Sequence, residues 1–203
     1  MRRQRAHGAT NARLQALLPS PERGEPRIAP AQPRELRPLA RVVAEVAGRV
    51  SGSGPPNVFT TFGRHPRLFR AWLRYSAHLM PFGQLPRRDT ELVILRVAWQ
   101  CRSVYEWQQH VQLALRVGLT PDEIEGVPED SPSGAFTERQ RTLLAVCDEM
   151  LARRALSDAT WNAVQASLSD REAVELCLLV GHYQGLASTL GALGIQVEPG
   201  PQA

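Results

Sequence analysis

The chain contains no lysine: all 24 basic residues among its 203 are arginine. Nor is the positive charge spread evenly. Residues 1–38 hold eight Arg against Glu22, Glu25 and Glu35, which leaves 16 Arg against 17 acids in the remainder. A high pI that belongs to one end gives the rest of the chain no basic face, so no nucleic-acid partner is expected. Cysteine is scarce as well. Cys101, Cys147 and Cys177 are odd in number, far apart and without CxxC spacing, which excludes a disulfide framework. Cys147 and Cys177 lie in apolar helical runs and read as small buried residues. No apolar run approaches the roughly 20 residues of a membrane span, and the opening lacks the apolar segment of a signal peptide. No membrane partner and a cytoplasmic location are the expectations. Missing too are a Gly-rich phosphate loop, a Gly-x-Ser-x-Gly elbow and a dinucleotide fingerprint, so the commonest nucleotide-dependent enzymes drop out. No stretch alternates with period two, and the fold class that remains is all-α.

What is present concentrates between Leu85 and Gly118. Leu92, Leu95 and Trp99, with Val93 and Val97, follow a helical period behind Pro86. A second helix begins near Ser103 and carries Val104, Trp107, Val111 and Leu115 until Gly118 stops it. The pair forms a helical hairpin bearing Glu91, Cys101, Ser103, Glu106 and His110, the densest set of proton-transfer side chains in the chain. Glu106 and His110, four apart, share one helix face, and a carboxylate beside an imidazole suits general acid or base work. The competing reading is structural: Ser103 and Glu106 have capping-box spacing, in which the Glu only holds the helix start. Two carboxylates and an imidazole are acceptable metal ligands, but the spacing is no recognised metal motif, and neither metal nor cofactor is expected.

These residues carry a resemblance. Glu91, then a helix-breaking segment, then His110 nineteen residues on resembles the carboxymuconolactone decarboxylase and AhpD-like superfamily, over roughly residues 35–198. In its alkylhydroperoxidase branch a Cys-x-x-Cys pair precedes the His. Here those positions fall on Ser103 and Glu106, and Cys101 lies two residues too early. The string Tyr105-Glu106-Trp107-Gln108-Gln109-His110 is similar instead to the decarboxylase-like branch, so the chain mixes features of both. The resemblance implies an AhpD-like helical domain assembled into trimers or hexamers. It also implies Glu91, Glu106 and His110 as the site, with Cys101, Ser103, Tyr105 and Trp107 as possible accessories.

Elsewhere the chain reads as one helical domain, residues 35–203, behind an Arg- and Pro-rich arm, residues 1–34, whose few large apolar side chains predict disorder. A helix starts near Pro38 and ends in the flexible turn 51–56. An aromatic-rich helix pair follows, broken at His65-Pro66, and is expected either to pack in the core or to roof a ligand pocket over the hairpin. Thr120, Thr137, Ser157 and Ser169 announce helix starts around a surface loop at 126–136. The last helix is apolar on most sides with interspersed glycines, as befits burial on several faces or contact with another subunit. His182 there reads as a satisfied core histidine.

Three functions follow. The first is a cofactor-independent carboxy-lyase or proton-transfer enzyme acting on a small carboxylated, lactone- or enol-type substrate through a Glu-His relay. The second is AhpD-like peroxiredoxin-type activity using Cys101. The third is a ligand-binding oligomer without turnover.

Overall fold

A computed structural model describes residues 2–19, 24–51, 54–129 and 136–198. Ten α-helices account for most of them: α1 Arg2–Gln15, α2 Pro38–Ser51, α3 Asn57–Phe62, α4 Pro66–Leu79, α5 Arg87–Gln100, α6 Val104–Arg116, α7 Pro121–Gly126, α8 Glu138–Arg153, α9 Asp158–Ser167 and α10 Asp170–Leu193. No strand occurs among the described residues. The all-α fold with a central hairpin is therefore as the sequence reads.

The helix starts have chemical causes. Thr120, Thr137 and Ser169 each form a complete capping box with the Glu or Gln three residues on, and Ser157 caps α9 by accepting from Thr160 N–H. The His65-Pro66 break works similarly: Pro66 occupies the first turn of α4, where no N–H is needed, and the His65 ring accepts from Leu68 N–H.

α5 is the axis of the domain, packed against α6, α8 and α10. Every residue from Asp89 to Ala98 is buried, so this helix shows no solvent stripe. One flank faces a cluster that includes Ile94, Val97, Leu143, Leu176, Leu179 and Val180. The other faces Leu92, Leu95, Trp107, Val111 and Ile124. Buried among them is Arg96, whose guanidinium donates to both Asp148 oxygens at 2.7 and 2.8 Å and to the carbonyls of Val127 and Glu129. This ties α5 to α8 and to the residues after α7, and gives each nitrogen of the buried fork at least one acceptor.

The arm departs from expectation. Its described residues are docked: α1 lies along α6 and α7, and Leu14 and Leu18 are buried in the second cluster. The Leu14 carbonyl accepts from Trp107 Nε1 at 3.0 Å. Farther on, Arg27 N–H donates to Leu193 O at 3.1 Å and Arg64 Nε to Ala29 O at 3.0 Å. Low apolar content misled because two leucines at helical spacing, together with main-chain acceptors for arginine, are enough to seat the segment. Residues 20–23 of the arm, 52–53 of the turn and 130–135 of the loop lie outside the described residues.

α10 corrects a second expectation. Contrary to the sequence reading, it is long and apolar enough to cross a membrane, as core helices can also be. In the fold it contacts α4, α5, α8 and α9, with Leu176, Leu179, Val180, Tyr183 and Ala187 buried, while Val174 and Leu178 remain exposed.

Candidate active site

Arg87 and Glu91 are one turn apart on α5, and Arg87 Nη2 donates to Glu91 Oε1 at 2.7 Å. The other oxygen, Oε2, lies 2.6 Å from His110 Nδ1. Glu91 is wholly buried and His110 is 7% exposed. α5 and α6 run antiparallel through the short link Cys101–Ser103, in which Arg102 takes a left-handed conformation at φ 54°. That return brings Glu91, nine residues before the end of α5, level with the second turn of α6. A carboxylate facing Nδ1 fixes the tautomer: Nδ1 carries the proton and donates, leaving Nε2 as the basic nitrogen of the neutral ring.

Glu106 behaves differently from both sequence readings. It makes no capping box, since Ser103 occupies the N-cap position of α6 without a side-chain bond, and His110 takes its carboxylate from Glu91. Neither Glu106 oxygen has a hydrogen-bond partner, although the residue is only 2% exposed. Burial pushes its carboxyl up to about 8; the nearby Ser103 hydroxyl, outside hydrogen-bond geometry, offsets this only in part. At neutral pH Glu106 is therefore mainly a carboxylic acid, one turn before the imidazole on the same helix.

Two contributors were missed. Tyr183 of α10 sets its ring edge-on to His110, centroids 5.2 Å apart at 85°. Burial raises its phenol well above the usual range, with the charges of Glu91 and Glu106 adding to the effect, so it stays protonated. The second is Arg87, whose Nη1 is buried without a partner. Tyr183 is 73 residues from His110, and its only signal in the sequence is a polar group inside an apolar helix. Arg87 was legible as an arginine four residues before Glu91.

The accessories divide. Tyr105 donates to Glu198 Oε1 at 2.7 Å and accepts from Val58 N–H, and the same carboxylate takes bonds from Asn57 N–H and Gln109 Nε2. This hub anchors the segment after α10, so Tyr105 is structural. Trp107 is fully buried against Trp99 and bonded to Leu14 O, structural as well. Cys101 caps α5 half-buried; burial raises its thiol, Glu106 adds to the rise, and Arg154 opposes it. The aromatic pair α3 and α4 does not roof the hairpin. Phe62, Phe69 and Trp72 line a cavity against α10 that none of Glu91, Glu106 and His110 enters. His182 sits at that cavity with Nε2 3.1 Å from Ser76 Oγ.

An Arg-Glu-His chain with Glu91 and His110 buried thus sits on the antiparallel hairpin of an all-α domain. Solved structures share this all-α fold. The alkylhydroperoxidase AhpD core of an uncharacterized peroxidase-related protein from Ralstonia eutropha JMP134 superposes with a TM-score of 0.72 at 18% identity, over 85% of this chain and 92% of that one. An uncharacterized peroxidase-related protein from Silicibacter sp. TM1040 gives 0.73 at 17%, over 87% and 94%. The debrominase Bmp8, in a variant bound to 2,3,4-tribromopyrrole, gives 0.72 at 18%, over 84% and 91%. No curated protein sequence matches. Residues 66–149, from α4 through most of α8, match the Carboxymuconolactone decarboxylase family. The family match covers part of the chain, and the solved structures show that the whole shares the AhpD-like fold its hairpin resembles.

Proposed function

We propose that the chain is an acid-base enzyme of the decarboxylase type, acting without a cofactor on a small carboxylated substrate of lactone or enol character. The observation that carries this reading is the neutral, unpartnered Glu106 carboxyl beside a histidine that Glu91 holds in one tautomer. Loss of carbon dioxide breaks a carbon–carbon bond and leaves its electron pair on the substrate, where it is delocalised and then protonated. Glu106 supplies that proton, and His110 Nε2 binds or exchanges the substrate's acidic proton. Glu91 positions the ring, and the Arg87–Glu91 contact holds Glu91 in turn. The position that carries a thiol in the redox branch thus carries an acid. The test is a panel of carboxymuconolactone-like acids in deuterated water: wild type should release carbon dioxide and place deuterium on the carbon that lost it. His110→Ala and Glu106→Gln should both fall by about a hundredfold or more, the usual scale of one general acid or base. Equal inertness of wild type and His110→Ala across the panel removes the reading.

A thiol route through Cys101 finds support in the two peroxidase-related structures of the same fold. Against it stands a thiol whose burial disfavours the thiolate that must attack peroxide. Mass spectrometry after peroxide treatment separates the two: sulfenic acid or a mixed disulfide selective for Cys101 favours the thiol route, an unmodified thiol the acid-base one. The exposed Val174 and Leu178 on α10 and Leu39, Val42 and Val46 on α2 support assembly into a homo-oligomer, which sedimentation of the full chain tests.

A further inference from the structure

The cavity between α3, α4 and α10 measures about 620 Å³, the size of a small-molecule site. Phe62, Phe69 and Trp72 form its aromatic wall, and Ile28 of the docked arm closes one side. Its opposite wall is made by absence. Gly181 and Gly185 lie one turn apart in the middle of α10, and a Cβ on either would meet nothing within 4 Å. Glycine inside a helix costs about 1 kcal/mol relative to alanine, and here no neighbour presses close enough to require it. What the missing side chains do is keep the space open.

One polar group in the lining is unspent. Thr61 is 5% exposed, and its hydroxyl is buried with no partner. A helical threonine ordinarily bonds a carbonyl one turn back, as Thr60 beside it does with Asn57 O at 3.1 Å. The charges around the cavity, by contrast, are engaged. Arg64 Nε donates to Ala29 O and its Nη2 lies 3.8 Å from Glu35. The His65 Nδ1 accepts from Leu68 N–H at 3.3 Å. His182 is bonded to Ser76, flanked by Trp72 and Tyr75, and kept neutral by burial.

We propose that this cavity, apart from the acid-base site, binds a neutral planar aromatic molecule with one hydroxyl, its ring against Phe62 and Trp72 and its hydroxyl on Thr61. An anion would have to compete with Glu35 and Ala29 O for Arg64, the one arginine among the described lining residues, whereas a neutral ring replaces water on aromatic surface and pairs the orphaned hydroxyl.

Calorimetry on the full chain tests this with 2-naphthol, naphthalene and 2-naphthoate. The naphthol should bind at least about tenfold more tightly than the naphthoate, a difference of ~1.4 kcal/mol. Gly185→Leu should abolish binding while the melting temperature holds or rises, because leucine fills open space and favours the helix. Thr61→Val should weaken naphthol about fivefold, the scale of one net hydrogen bond, and leave naphthalene unchanged; it decides the matter if the leucine variant fails to fold. Equal binding of naphthol and naphthoate, or binding unaltered in Gly185→Leu, overturns the proposal. So does absence of naphthol binding, and a sedimentation change in Gly185→Leu would then mark the face as a contact between copies of the chain.

Discussion

Replacing Glu106 by glutamine should stabilise the protein at neutral pH, and the gain should depend on pH in a definite direction. In the unfolded chain the carboxyl ionises near 4.5; folded, it holds its proton to about 8. The native state therefore binds more protons than the unfolded state between these values, and this group's contribution is whole below pH 4.5 and lost as pH climbs toward 8. At ~1.4 kcal/mol per pH unit the loss is about 3 kcal/mol by pH 7 and about 5 kcal/mol above pH 8. Glutamine matches the neutral acid in shape and has no proton to lose. The difference between Glu106→Gln and wild type should thus be near zero at pH 4.5 and grow to about 3 kcal/mol at pH 7, roughly 10 °C in melting temperature for a chain this long. Chemical denaturation of both proteins from pH 4.5 to 9 reads it out. Parallel curves would refute the reasoning, since they would mean that Glu106 ionises as easily folded as unfolded. If the gain in stability comes with loss of turnover, the buried acid is a cost the fold carries for its chemistry.

Other perturbations have equally definite outcomes. A chain beginning at Glu35 should lose on the order of 3 kcal/mol in a melt, because it exposes the surface covering Leu14 and Leu18 and orphans Trp107 Nε1; a melt within a degree or two of the full chain would show that the arm adds nothing. Arg96→Ala should cost about 3 kcal/mol by denaturant titration, as it strands Asp148 and two carbonyls; Asp148 is partly solvated, which keeps the figure at the lower end. Glu198→Ala should destabilise by about 2 kcal/mol while sparing turnover, since its three partners are structural; a selective loss of activity would instead place Tyr105 in the chemistry. Raising pH through 8 should abolish activity as Glu106 ionises, and a rate still flat at pH 9 would remove Glu106 as the proton donor.

The helices were legible because their signals are local. Capping boxes at Thr120, Thr137 and Ser169, the Pro66 start and the periodic apolar residues of the hairpin are all decided within a turn or two. The partners within the site were only half legible. Spacing of four places Glu106 and His110 on one face, but which carboxylate meets the ring depends on the register of two antiparallel helices, and that is set by the Cys101–Ser103 link and by packing. Tyr183 and Glu198 reach their partners across 73 and 93 residues, where one sequence carries no pairing information. The arm failed for a different reason. Its composition is that of a disordered segment, yet a surface prepared by α6, α7 and the end of α10 supplies what the arm lacks by itself.

The central claim is that a neutral carboxylic acid stands beside the Glu91–His110 pair at physiological pH. Infrared difference spectroscopy of wild type against Glu106→Gln measures this directly, through the carbonyl stretch of a protonated carboxyl. The account predicts that this band is present in wild type at pH 6, absent from the variant, and lost with a midpoint near pH 8. A Glu106 band that disappears by pH 5, leaving an ionised carboxylate at neutrality, would contradict it.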